Sequence, residues 1–86
     1  MKSKTYNFYA DCGHGWLRVK RAEVDALGIK ISPYSYQRNN YVYLEEDCDM
    51  SEFCRVMSEH GIDVKIKEHF TQNRESKIRN YDRYTA

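Results

Sequence analysis

The chain has 86 residues, a formal net charge of +1, 41% hydrophobic residues and 31% charged ones. That length fits one domain with one modest core, and the balance of apolar and charged residues excludes a fully disordered chain. Near-neutrality argues against a general nucleic-acid sponge and an acidic DNA mimic, and no apolar run approaches the ~18 residues of a membrane span.

In chain order, "TYNFYA" sets Tyr6, Phe8 and Ala10 against Asn7 and Tyr9, the alternation of a strand. "DCGHG" interrupts it, and "WLRVK" resumes with Leu17 and Val19 on one face and Trp16 on the other. Residues 5–20 therefore predict a hairpin. "RAEVDALG" predicts a short helix that Gly28 ends. Pro33 keeps Ser32 extended, and residues 34–46 predict a second hairpin around the Asn39-Asn40 turn. "DCDMSEFCRVMSEHG" carries the clearest helical stripe: Met50, Phe53, Val56, Met57 and His60. Asp49 or Ser51 is its expected N-cap, with Glu52 completing a capping box. "IDVKIKEHF" alternates Ile62, Val64, Ile66 and Phe70 against Asp63, Lys65 and Lys67, a half-buried strand.

The order β-β-α-β-β-α-β predicts an α+β fold: an antiparallel sheet of about five strands with two helices on one face. Leu17, Val19, Val42, Leu44, Ile62, Val64 and Ile66 are the expected core face of the sheet. Val24, Leu27, Phe53, Val56 and Met57 are the side chains expected to pack on it. Residues 1–70 form the single domain. The polar tail, 71–86, has Ile78, Tyr81 and Tyr84 with which to dock. An exposed hairpin edge could pair with its symmetry mate, giving a homodimer.

Charge is uneven. Residues 1–40 carry seven Lys/Arg against three Asp/Glu, 41–61 carry Arg55 against six acids, and 62–86 carry six basic against four acidic residues. Neutralisation within the fold is the plain explanation; an exposed acidic partner site is the alternative. The N-terminus shows no apolar leader. An odd count of three cysteines, Cys12, Cys48 and Cys54, then points to reduced thiols in a cytoplasm.

Two runs concentrate reactive side chains: "DCGHGW" (11–16) and "YLEEDCD" (43–49). If both lie on one rim of the sheet, His14 with Glu45 and Asp47 makes a catalytic set for metal-assisted hydrolysis. Otherwise Asp11 serves turn amides, His14 is a surface imidazole, and the acids sit at a helix N-terminus. Cys12, His14 and Cys48 are a candidate soft-metal set, though zinc sites usually show two close ligand pairs and only one is present. Cys54 reads as a small core residue, and Cys12 as a nucleophile lacks a third orienting group. Nucleic acid could stack on the Tyr-rich hairpin 34–43, but tyrosines also simply pair across strands. Tyr, Trp and Arg anchor protein interfaces. Trp16, Tyr81 and Tyr84, with the Glu45-Glu46-Asp47 rim, are therefore the preferred contact residues for a protein partner. Trp16 is either covered by the tail or offered to that partner. No cofactor is implied, and enzymatic activity is the less favoured reading.

"YADCGHGWLRVKR" and "SPYSYQRNNYVYLEEDCDMSEFCRVM" together resemble small uncharacterised proteins of tailed bacteriophages and prophages. Those share a D-x-G-H-G-W-L turn, here Asp11 to Leu17, then Y-S-Y-Q-R, here Tyr34 to Arg38, and Y-L-E-E-D-C-D, here Tyr43 to Asp49. This chain departs at Asn39-Asn40, where a glycine turn is expected. The resemblance implies a phage accessory protein in the host cytoplasm. Such a protein would bind a host or phage protein and could inhibit restriction or CRISPR defence. It implies no mechanism.

Overall fold

A computed structural model describes residues 2–71 and 76–85. The elements are β1 (Lys2–Ala10), β2 (Gly15–Lys20), α1 (Arg21–Leu27), β3 (Tyr36–Arg38), β4 (Tyr41–Glu45), α2 (Asp49–Glu59), β5 (Ile62–Phe70), a 3-10 turn (Lys77–Asn80) and β6 (Asp82–Arg83). The class is α+β, with both helices on one face of a six-stranded sheet of order β5-β1-β2-β4-β3-β6.

The all-antiparallel expectation is corrected at one place. β5 runs parallel to β1, in register from Lys2 opposite Ile62 to Ala10 opposite Phe70. β4 and β5 therefore point the same way, and a two-residue turn cannot join parallel strands. Helix α2 supplies the crossover. The sixth strand comes from the tail: β6 pairs with β3, placing Tyr36 opposite Arg83.

The helix-side core is largely the predicted one: Tyr6 and Phe8 join it, and Ile66 and Val56 fall outside it. Tyr6, Phe8, Leu17, Val19, Val24, Val42, Leu44, Phe53 and Met57 form a buried cluster, and Leu27, Ile62 and Val64 pack against it. Ile66 lies on the expected face but is 47% exposed, because the helix layer covers only the start of β5. Val56 is half-buried and outside the cluster. The opposite face holds a second core of Trp16, Tyr36, Tyr43 and Ile78, edged by Tyr9, Tyr41 and Tyr81. The described part of the tail closes this side.

Local chemistry explains the element ends. Gly28 takes a left-handed φ of 66° and returns its amide to Asp25 and Val24, closing α1. Asn39 turns the second hairpin with φ 55°. The expected capping box of α2 does not form. The Asp49 carboxylate turns away to Ser32 and Ser35, Ser51 donates to the Cys48 carbonyl, and Glu52 pairs with Arg55. Gly15 is small for space rather than for φ: a Cβ there would lie 2.3 Å from Cζ of Phe8. Since Phe8 is itself buried, Gly15→Ala is expected to cost about 1–3 kcal/mol as overpacking, read as a lower urea midpoint.

Candidate metal centre

The first reactive run is the loop between β1 and β2, and its geometry is set by Asp11. That side chain is fully buried. Its Oδ1 accepts from the amides of Gly13 and His14, both at 2.9 Å, an Asx turn. Its Oδ2 accepts from the Ser76 amide at 2.9 Å and from Arg79 Nε at 2.7 Å, and Arg79 Nη2 reaches Oδ1 at 3.0 Å. The guanidinium fork holds the Asp11 carboxyl far below the usual carboxylate range; burial opposes this, and the amides of Ser76, Gly13 and His14 add to it. Asp11 therefore does not orient the His14 ring. It fixes the backbone from which that ring projects.

The second run reaches the same rim through strand register. Trp16 pairs with Glu45 across β2 and β4, and the Glu46 amide donates to the Gly15 carbonyl at 2.9 Å. His14, just before β2, therefore meets the end of β4. Its Nδ1 lies 3.5 Å from Glu45 Oε1. Glu45 is buried, and its Oε2 accepts from the Asp47 amide at 2.9 Å. Its own amide donates to Ser35 Oγ at 3.0 Å. One ligand-type atom from each of His14, Glu45 and Asp47 lies within 4.8 Å of the others.

These side chains open into a cleft of about 380 Å³ that Trp16, Tyr34, Tyr36, Cys48, Arg79 and Arg83 also line. A larger hollow of about 550 Å³ lies beneath the tail, but among the described residues its walls offer no acidic, histidine or thiol side chain. The chemistry is therefore in the smaller one. Around a cation bound at ~2.0–2.2 Å, neighbouring ligand atoms sit about 3–3.5 Å apart. The buried Glu45 is the fixed corner, and the exposed His14 and Asp47 can close the remaining gap by rotation. Two carboxylates and one imidazole suit an oxygen-preferring divalent ion such as Mn²⁺, and also Zn²⁺. Three protein ligands leave positions for water and substrate, as catalytic sites do.

The thiol set is corrected. The group that converges on His14 is Glu45 with Asp47, not Cys12 with Cys48. Desolvation, then the charges of Glu45, Asp49 and Asp47, push the Cys48 thiol up, which disfavours the thiolate a metal needs. Cys54 is half-buried in α2, and burial raises it too.

The outward aromatic anchors are corrected as well. Trp16 is 2% exposed, covered by its own chain. Tyr36 meets it edge-on at 6.1 Å and Arg79 lies over it at 5.4 Å. Its Nε1 is buried with no hydrogen-bond partner among the described residues. Tyr81 and Tyr84 are half-buried: Tyr81 packs on Tyr43 at 5.1 Å under Arg38, and Tyr84 lies beneath Arg21. In the Tyr-rich hairpin, Tyr36 and Tyr43 are buried and Tyr41 lies under Arg18. Only Tyr34, 63% exposed, offers a free face there. Of the expected acidic contact rim, Glu46 and Asp47 are exposed, whereas Glu45 is buried at the end of β4.

Sequence reasoning offers Arg79 and Arg83 only as basic residues of a nucleic-acid-binding tail, does not single out Ser76, and places none of the three at this site. They sit in a polar stretch with no periodicity, and Arg79 lies 68 residues from Asp11. The one available hint was their place beside Ile78 and Tyr84, the tail's apolar groups. No helix among the described residues is long and apolar enough to cross a membrane. In comparison with known proteins, the chain matches no family model, no curated protein and no solved structure.

Proposed function

We propose that the protein binds a divalent cation through His14, Glu45 and Asp47 and uses it in metal-assisted hydrolysis of an anionic ester, with phosphate esters the best-suited class. The observation that carries this reading is the approach of three ligand atoms, from the β1–β2 loop and the end of β4 with the turn after it, to within 4.8 Å of one another in a cleft. The ion would polarise a phosphoryl oxygen and lower the pKa of a bound water. Glu45, pinned by the Asp47 amide, is the permanent ligand. Arg83, stacked on Tyr36 at 4.8 Å, brings positive charge to the same cleft for an anionic substrate. Arg79 is committed to Asp11 and supports the loop.

Calorimetric titration with Mn²⁺ tests this. One equivalent is expected to bind, and His14→Ala and Asp47→Asn, both at exposed positions, should each weaken it by at least about 10-fold, the low end of losses seen even for outer-shell partners. Mn²⁺-dependent cleavage of a chromogenic phosphodiester should vanish with binding. A full chain that takes up neither Mn²⁺ nor Zn²⁺ at millimolar levels ends the proposal.

A second reading is a phage accessory protein that binds a host or phage protein, for example a component of restriction or CRISPR defence. It is supported by the resemblance of Asp11–Leu17 and Tyr43–Asp49, and by the exposed Tyr34 and Asp47 on one cleft, an aromatic beside an acid that would suit a basic partner. Tyr34→Ala should then abolish capture of that partner from host lysate and leave Mn²⁺ binding intact.

A further inference from the structure

β5 is the longest unprotected edge of the sheet. It runs nine residues, pairs with β1 on one side, and no described strand pairs with the other. Such edges are normally shortened, bulged or covered. Here one face of the strand carries Ile62, Val64 and Ile66, with Ile66 47% exposed. The other carries Asp63 and Lys65, 48% and 61% exposed, with Lys65 Nζ 2.9 Å from Asp63 Oδ2.

From this pattern we infer that β5 pairs antiparallel with β5 of a second copy of the chain, about a two-fold axis through Val64. In a two-fold antiparallel pair, directly opposed residues share a face, and like charges placed opposite each other destabilise the pair. Centres at 63, 65, 67 and 68 oppose Asp63, Lys65, Lys67 or Glu68 to itself. A centre at 66 sets Lys65 against Lys67. The centre at Val64 avoids all of these. It places Ile62 opposite Ile66 and Val64 opposite itself, so the half-exposed apolar stripe closes on its own copy. On the other face it sets each Asp63 opposite a Lys65, joining the two intrastrand ion pairs into a four-charge cluster. The contact is isologous and closes as a dimer, uniting two six-stranded sheets and removing both open edges.

Sedimentation equilibrium of the full chain tests this against the 10.3 kDa subunit mass. The wild type is expected at twice that mass. Asp63→Lys opposes lysine to lysine and should return the protein to monomer. The charge swap Asp63→Lys with Lys65→Asp restores opposite charges and should restore the dimer. Lys65→Glu serves as an independent breaker should Asp63→Lys fail to fold by circular dichroism. A wild type that stays monomeric at roughly 100 μM, weaker than a Kd of that order, overturns the proposal. So does a pair of folded single variants that dimerise as the wild type does, or a monomer that instead takes a foreign strand onto this edge.

Discussion

Asp11→Ala is expected to lose about 3 kcal/mol of unfolding free energy in urea denaturation, the largest effect of any single substitution outside the apolar core. The carboxylate is fully buried and takes five hydrogen bonds: three from amides and two from Arg79. Removing one partner of a buried ion pair strands the other, at about 3–5 kcal/mol. The lower figure applies because Arg79 is about a quarter exposed and can recover some water. For a domain whose total stability is on the order of 5–15 kcal/mol, that is a large share. The same contact dictates a pH dependence. The folded carboxyl titrates well below its ordinary value of 3.8, so the unfolded chain binds a proton more readily than the native one. The contribution is complete above the ordinary value and is lost progressively as the solution is acidified below it. In Asp11→Ala that part of the acid-limb slope should be missing.

Asp49→Ala is expected to cost about 2–3 kcal/mol and, in addition, to weaken cation binding. Asp49 is buried at the start of α2 and accepts from the amide and hydroxyl of Ser32 and from the hydroxyl of Ser35. Hydrogen bonds to a charged group contribute about 1.5–3 kcal/mol, and a buried donor left alone is costly. Ser35 is fully buried, and its oxygen also accepts from the Glu45 amide. The chain Asp49–Ser35–Glu45 thus ties the helix start to the metal corner. Loss of Mn²⁺ affinity in Asp49→Ala, at a temperature where the variant is still folded, would show that coupling; full affinity would show that Glu45 is held by the Asp47 amide alone.

Much of the fold is legible in local pattern. Alternation in 5–10, 16–20 and 62–70 marks strands, and the Phe53–Met57 stripe marks the helix that covers them. His14, Glu45 and Asp47 could be named as a set because each run ends a predicted strand. Alternation assigns a residue to a face, however, and not to a neighbour. It could not show that β5 lies parallel to β1, or that α2 stops short of covering Ile66. It also could not decide what lies over Trp16. That answer sits in the tail, where Ile78 and Arg79 act across a separation that leaves no periodic trace. The Asp49 capping box failed for a related reason: two serines from a distant loop compete for the same carboxylate.

The Asp11–Arg79 contact also has a consequence for biosynthesis. The ribosome makes the bend bearing His14 well before its arginine clasp, which lies 68 residues beyond Asp11. Because domains fold as the chain emerges, β1, β2 and β4 can assemble before the clasp is available. The imidazole then gains its fixed backbone only once Arg79 has emerged. A chain cut between β5 and Arg79 would keep the residues of the sheet's helical side and lose the support of the cleft.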